Sequence, residues 1–471
     1  MPTHRMPSDF NRKLIEMNLA EYGKAGRDLN FITPRLSKNA ELERTRILSD
    51  IALQVQWEYK QTKPFLNDLS PGCRICGNGH WSCLFINGKC NCRCFYCPTP
   101  QNDIGVPTTN LLEFTKASDY SDYVRYFGFQ GVSISGGEPL LTFEKTIDFI
   151  RTVRRNSPAH LHVWMYTNGT LLTHDHILRL KDAGLNEIRF DIGATNYDIE
   201  KLLIAVGHIS CVTVEIPAIP EDMDRLSALI PLMTDVGVQY LNLHQLRLTP
   251  HNSPLLKNKK YTFLHGEKVT VLESELAVLS LFSRAIQNGW TLPINYCSFA
   301  YKHRFQQKAV RKRNAEFIIK SHESLTENGF IRGICLKGES KTILSILDGL
   351  NRHNVPKELH QINGNKTTLL IHQSLWPMID ITGCEIQLNY YEAVLTPALS
   401  YRHVFKEILL NKGRKLYVEK QSRCLGLPLS ADQKSYFEKR VILKNQPPGQ
   451  CPSELEWIDY EFTPEGMQPY F

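Results

Sequence analysis

Cys90, Cys94 and Cys97 stand in the spacing C-x3-C-x2-C within the run WSCLFINGKCNCRCFYCPTPQ, which begins at Trp81. Tyr96 immediately precedes the last of them, and Cys92 lies between the first two. The run turns from an apolar, β-prone segment into a loop crowded with thiols. Soft thiolates at this density point to a metal, and an iron–sulfur cluster or zinc suits them best. A set of three rather than four is informative, because a four-iron cube held by three thiolates keeps one iron open to an outside ligand. Cys92, one residue off the pattern, is not expected to share the same centre.

A second pattern follows. Ser135-Gly136-Gly137-Glu138-Pro139 ends an apolar run. Paired glycines let a backbone come close to its partner, Glu138 offers a hydrogen-bond acceptor, and Pro139 stiffens the turn. The thiol loop with its aromatic resembles the cluster loop of the radical S-adenosylmethionine (radical SAM) enzymes. Gly136–Pro139 resembles the GGEP motif with which that family holds the methionyl amino group. The resemblance covers roughly residues 79–310.

It implies a [4Fe–4S] cluster on Cys90, Cys94 and Cys97, with S-adenosylmethionine chelating the open iron. One electron would then split the cofactor into methionine and a 5′-deoxyadenosyl radical, which takes a hydrogen atom from a substrate. It also implies that Tyr96 lies beside the adenine and that Gly136, Gly137 and Glu138 lie against the methionyl end. Asn168, Asp191 and His244 become contacts to the ribose or carboxylate. An electron donor such as flavodoxin or ferredoxin is implied too. The wider wording PGCRICGNGHWSCLFINGKCN resembles an uncharacterised branch related to the pyruvate formate-lyase activating enzyme. That branch implies a peptide or protein substrate without naming one; a small molecule is the other option.

These residues need a scaffold that gathers strand ends. From Ser82 onward strand and helix signals alternate, which implies parallel βα units. Strands are expected at 82–87, 131–135, 161–167, 187–192, 211–216 and 239–244. Helices are capped by Thr142 and Thr173, the latter ending at Gly184, and another spans 222–236 with Pro231 as a kink or break. The fold class expected is α/β: a partial (β/α)6 TIM-type barrel of radical SAM type, with 290–296 as a further edge strand. Such barrels present active groups at the C-terminal ends of their strands. That rule selects the thiol loop, Gly136–Glu138, Asn168, Asp191, Glu215 and His244. As local readings, Asn168-Gly169 is a turn and Asp191 a cap. The polar stretch 247–261 is expected to be a loop that either covers the substrate or lies in solvent.

Around the barrel, residues 1–70 are expected to be helical, with Asn39 as a cap and Leu42, Ile47, Leu48, Ile51, Val55 and Trp57 on one face. Pro64 and Pro71-Gly72 break this pattern and open a loop. Cys73 and Cys76 in that loop, with Cys83 on the first strand, open a second site for an iron–sulfur cluster or zinc. Cys297, another side chain or a bound molecule would complete it. The bland alternative is free thiols and a core cysteine. Cys297 alone could equally exchange a hydrogen atom with a radical.

The dense basic run from Lys302 to Arg313 fits a phosphate or acidic peptide, or else a solvated face; nucleic acid is not favoured. Beyond it, strands are expected at 366–372, 386–393 and 441–444, and a helix at 401–411. Cys335, Cys384, Cys424 and Cys451 are scattered. The domains expected are 1–78, a helical extension with the Cys loop; 79–313, the barrel; and 314–471, an α+β accessory domain.

The chain has 471 residues, 42% hydrophobic and 22% charged, with a formal charge of +7. A sizeable core is therefore available, and an anionic partner is permitted but not required. No run approaches the ~18 apolar residues of a membrane span, and MPTHRMPSDFNRK lacks an apolar h-region. A cytoplasmic protein without a membrane partner is expected, and its 13 cysteines read as metal ligands rather than disulfides. Two other functions compete: a radical SAM enzyme modifying RNA or a small molecule, and a non-catalytic, zinc-stabilised binding module. The latter needs neither Gly136–Pro139 nor the βα series.

Overall fold

The computed structural model describes residues 8–444 and 455–471. Cys451 and the start of the N-terminal stretch, 1–7, lie outside the described residues. The chain divides into two units, Met1–Gln306 with Glu465–Phe471, and Gln307–Pro464.

The first unit is built on α1 (Ser8–Tyr22), α2 (Pro34–Ile51), β1 (Gln56–Glu58), β2 (Lys63–Leu66), α3 (Pro71–Gly77), β3 (Trp81–Asn87), α4 (Ala117–Tyr126) and β4 (Gly131–Gly136). It continues with α5 (Phe143–Asn156), β5 (His162–Thr167), α6 (His174–Ala183), β6 (Glu187–Phe190), β7 (Cys211–Pro217), α7 (Met223–Asp235), β8 (Tyr240–His244), α8 (Leu272–Gln287) and β9 (Ile294–Cys297). Strands β3 to β9 pair in sequence order, each parallel to the next. That is the order successive right-handed βα units produce. The sheet stays open, as a partial barrel does. Beyond β9 it continues antiparallel through β2 and β1, and beyond β3 through the short pair Thr108–Thr109 and Leu112–Glu113. The segment expected as an edge strand is therefore β9, and it is covered by β2.

Alternation along the strands separates two faces. Leu84, Ile86, Val132, Ile134, Val163, Ile188, Val212, Val214, Leu241 and Leu243 are fully buried. On the other face of β3, Phe85 is 48% exposed. Unlike an ordinary core, that face is polar: Ser133, Tyr166, Glu187, Arg189, Glu215, Asn242 and Asn295 alternate with the apolar set.

Several local expectations change. Helix α2 is capped six residues before Asn39, because Thr33 accepts from Leu36 N and Pro34 supplies a preset first turn. Its buried face is Ala40, Arg44, Ile47 and Ile51, whereas Leu42 is 63% exposed. Pro64 breaks no helix; it sits in β2 opposite Trp57. Pro71-Gly72 opens a helix rather than a loop, because Ser70 caps α3 by accepting from Cys73 N, and Pro71 is its first residue. Pro231 lies inside a continuous α7.

The second unit is a seven-stranded antiparallel sheet with the helix Ser340–Arg352. Ile334, Leu336, Ile343, Leu350, Leu369, Leu388, Phe437 and Trp457 form its core. Within it Arg332 pairs with Glu461 at 2.5 Å, and Tyr390 Oη donates to Glu461 at 2.7 Å. The expected helix at 401–411 is instead the strand Val404–Asn411, paired antiparallel with Arg414–Pro428. Cross-strand pairing and β-favouring Val404 and Phe405 outweigh the local helical spacing. Residues 441–444 are not a strand either. Val441 belongs to the helical turn Glu438–Ile442, which prolongs the helix Ala431–Phe437 started by the Ser430/Gln433 capping box. Among the described residues no helix is long and apolar enough to cross a membrane.

Candidate functional site: a thiol loop fastened to the strand ends

The thiol loop leaves the C-terminal end of β3 at Asn87, a buried residue that fastens it. Asn87 Oδ1 accepts from Lys89 N at 2.8 Å, and Nδ2 donates to Glu138 O and Thr142 Oγ1, each at 2.9 Å. The main chains are joined as well: Gly137 N donates to Asn87 O and Glu138 N to Lys89 O, both at 2.8 Å. This contact explains the glycines. A Cβ on Gly136, at φ +120°, would lie 2.1 Å from Asn87 O, and one on Gly137 would lie 1.9 Å from Lys89 O. In this structure, the backbone that needs the space is the thiol loop itself.

Glu138 is 1% exposed. Its carboxylate accepts from Leu140 N at 3.0 Å, Thr167 Oγ1 at 2.8 Å and Asn168 N at 2.8 Å, tying the end of β4 to that of β5. Burial raises its pKa despite these three donors. Asn168 then reaches the loop: its Nδ2 donates to Asn91 Oδ1 at 2.9 Å and approaches Cys90 Sγ at 3.6 Å. From the end of β6, Asp191 accepts from Tyr96 Oη at 3.0 Å, and burial pushes its carboxyl up to about 6.

The stretch 247–261 is neither a free cover nor a solvated loop. Leu248 and Leu256 are 0% exposed, and with Leu246 and Tyr261 they form a cluster against which Phe95 and Tyr96 pack. Asn252 Nδ2 donates to Tyr96 O at 3.2 Å and Thr249 Oγ1 to Pro98 O at 3.0 Å. Sequence reasoning missed Asn87 and Asn252; a lone Asn near a turn carries no distinguishing signal.

Deeper in the lumen His244 Nε2 meets Glu215 Oε1 at 2.6 Å, and its Nδ1 meets Lys302 Nζ at 2.6 Å. Burial and the Lys302 charge lower the His244 pKa, so the ring is neutral: it accepts from the ammonium and donates to the carboxylate. Glu215 also accepts from Asn242 at 3.0 Å and from Arg189 at 2.5 Å, and Arg189 Nε donates to Glu187 at 2.8 Å. Burial works against the charge of Glu215, but Arg189 outweighs it and holds this carboxyl well below its usual range. Arg189 and Glu187 were also missed. Their signal was present: charges at alternate positions of an otherwise apolar strand. The basic run is not one solvated face, since Arg304 and Arg311 are buried.

Of the second thiol set, α3 carries Cys73 and Cys76. Cys83 Sγ is hydrogen-bonded with Ser133 and Ser135. Cys297 Sγ and Cys73 Sγ both accept from Asn295 Nδ2, at 3.5 and 3.6 Å.

The fit of an iron–sulfur cluster to the loop rests on the donor set. Cys90, Cys94 and Cys97 are partly exposed, unpaired by disulfides and held on a loop braced from three strand ends. Burial pushes Cys94 up to about 12 and raises Cys97; binding a metal displaces thiol protons. Three thiolates on one loop are the ligand set of a cluster that keeps one iron open to an outside ligand.

A parallel, partly closed α/β barrel with a three-thiol loop latched to a Gly-Gly-Glu turn defines an enzyme that works with S-adenosylmethionine at a [4Fe–4S] cluster. Residues 84–247 match the family model of the radical SAM superfamily. It is similar to the "putative glycyl-radical enzyme activating enzyme" of Methanocaldococcus jannaschii, at 26% identity over 62% of this chain and 80% of that protein. It is also similar to GTP 3′,8-cyclase of Petrotoga mobilis, at 30% identity over 26% of this chain but only 38% of the cyclase. Among solved structures, Streptococcus suis SuiB bound to S-adenosylmethionine shares 13% identity over 62% of this chain and 61% of that one, with a TM-score of 0.35.

Proposed function

We propose that this enzyme takes a hydrogen atom from a peptide or protein. The observation that carries the catalytic part is the double main-chain latch of Asn87 and Lys89 onto Gly137 and Glu138. It brings the cluster-binding loop and the turn assigned to the methionyl amino group into one rigid piece. When bound, the cluster and S-adenosylmethionine supply one-electron cleavage to methionine and a 5′-deoxyadenosyl radical.

The chain's own residues then have defined tasks. Cys90, Cys94 and Cys97 hold the cluster and leave one iron open. Gly136, Gly137 and Glu138 set the depth of the loop. Tyr96, braced by Asp191 and Asn252, presents its face and backbone to the adenine. Asn168 stands at the end of β5 for the ribose or carboxylate, whereas both ring nitrogens of His244 are taken by Glu215 and Lys302. A flavodoxin- or ferredoxin-type donor supplies the electron.

The peptide assignment rests on the M. jannaschii relative, an alignment that covers most of that protein. It is tested with extract from cells grown in deuterated medium, split by size and offered to the reconstituted enzyme with reductant and S-adenosylmethionine. Deuterium is expected in 5′-deoxyadenosine only with the macromolecular fraction, and protease treatment should remove it. Transfer confined to the small-molecule filtrate would overturn the peptide reading.

A further inference from the structure

Three thiols outside the cluster loop meet on the inner side of the first unit. Cys73 and Cys76 are three residues apart on α3 and so share a helical face. Cys297 ends β9, next to Asn295 and Asn242 on neighbouring positions of the sheet. Each sulfur accepts from an N–H donor. Cys73 accepts from Asn242 Nδ2 at 3.2 Å and Asn295 Nδ2 at 3.6 Å. Cys76 accepts from Gln306 Nε2 at 2.9 Å. Cys297 accepts from Lys63 Nζ at 3.0 Å and Asn295 Nδ2 at 3.5 Å.

A neutral buried thiol behaves as a small hydrophobe and requires no such donors. Cys211 of the same sheet is an example: its sulfur lies 3.6 Å from the Thr213 hydroxyl. Sulfurs that receive amide and ammonium hydrogens are in the setting of metal-bound thiolates, whose outer donors steady the charge and tune the centre.

Lys63 points the same way. It is 0% exposed, its ammonium lies 4.3 Å from the centre of the Tyr301 ring, and among the described residues it has no carboxylate partner. A buried cation without an anion is costly. The anion must come from the sulfur side, and a thiolate-held centre supplies it. The three thiols are not closed on a single ion, and neither are Cys90, Cys94 and Cys97. Amide and ammonium donors to the sulfurs are the groups that tune an iron–sulfur centre.

We propose that Cys73, Cys76 and Cys297 hold a second iron–sulfur cluster inside the barrel, with Lys63, Asn242, Asn295 and Gln306 as its hydrogen-bond donors. One position is left for a further ligand. Cys83, bonded with two serine hydroxyls, is outside the set.

The test removes the first cluster. A Cys90→Ala/Cys94→Ala/Cys97→Ala variant is reconstituted anaerobically with ferrous iron and sulfide, desalted and analysed. Iron and sulfide are expected in equal amounts, about two to four per chain, the content of a [2Fe–2S] or [4Fe–4S] centre. Adding Cys297→Ser should abolish them, whereas adding Cys83→Ser should not. A folded variant by circular dichroism that binds no iron overturns the proposal, as does iron that survives Cys297→Ser. If the triple variant does not fold, the count is made on Cys297→Ser against the otherwise unaltered protein. A lower iron content then supports the site and an equal one overturns it. Because the first cluster is absent from the main experiment, its outcome is independent of whether S-adenosylmethionine is cleaved.

Discussion

Gly137→Ala is expected to cost about 10²-fold in 5′-deoxyadenosine formation, the scale of loss when reacting groups move by about 1 Å. The added methyl would lie 1.9 Å from the Lys89 carbonyl oxygen, and carbonyl and loop cannot both stay in place. The bond from Glu138 N to Lys89 O must break, and the segment leading to Cys90 shifts with it. Gly349→Ala is the control. Its methyl meets nothing within 4 Å in a helix of the second unit, so it should leave product formation unchanged and stabilise by about 0.5–1 kcal/mol. Comparing initial rates of product formation across the three proteins checks the expectation. A Gly137→Ala enzyme at wild-type rate would show that the latch does not position the loop.

The largest expected effect on stability is that of Arg189→Met. Arg189, 3% exposed, bonds Glu187 and Glu215 across β6 and β7. Its removal leaves two buried carboxylates without their cation, at a cost of about 3–5 kcal/mol. The pH dependence has a definite sign. Burial raises the Glu187 carboxyl, but the Arg189 charge and the His162 hydrogen bond outweigh this and bring it down from 4.5 to about 2. A depressed carboxyl stabilises the fold above its unfolded value and loses that contribution as the pH falls through its folded value. The native protein should therefore lose this increment between pH 4.5 and about 2. In the variant the unpaired carboxylates favour protonation, so its deficit should shrink on acidification. Urea midpoints of the two proteins at pH 7 and at mildly acidic pH measure both. A deficit that stays constant or grows in acid would contradict the ion-pair account.

What could be read in advance follows from where the chemistry leaves a mark. Thiols at C-x3-C-x2-C and a Gly-Gly-Glu-Pro turn are conspicuous by residue type, and the βα alternation that carries them has two distinct periods. The supports are less visible. Asn87 and Asn252 look like any turn asparagine until the fold brings Glu138 and Tyr96 beside them. Lys63, in the polar run before Pro64, gives no sign of a buried ammonium, because its burial depends on β2 pairing with β9, more than two hundred residues away in the chain. The strand Val404–Asn411 was hidden for the opposite reason: its partner, just beyond a tight turn, decides a conformation that its own spacing leaves open. Strongest of the unused signals was Glu187 and Arg189 in an apolar strand, which marks a polar lumen directly.

The measurement closest to the central claim is made on the anaerobically reconstituted protein with reductant and S-adenosylmethionine. 5′-Deoxyadenosine and methionine are expected in equal amounts, together with an iron–sulfur absorbance, and Cys94→Ala should abolish the product. A protein that remains colourless after reconstitution, or forms as much 5′-deoxyadenosine with Cys94→Ala as without it, would contradict the assignment of Cys90, Cys94 and Cys97 to a catalytic cluster.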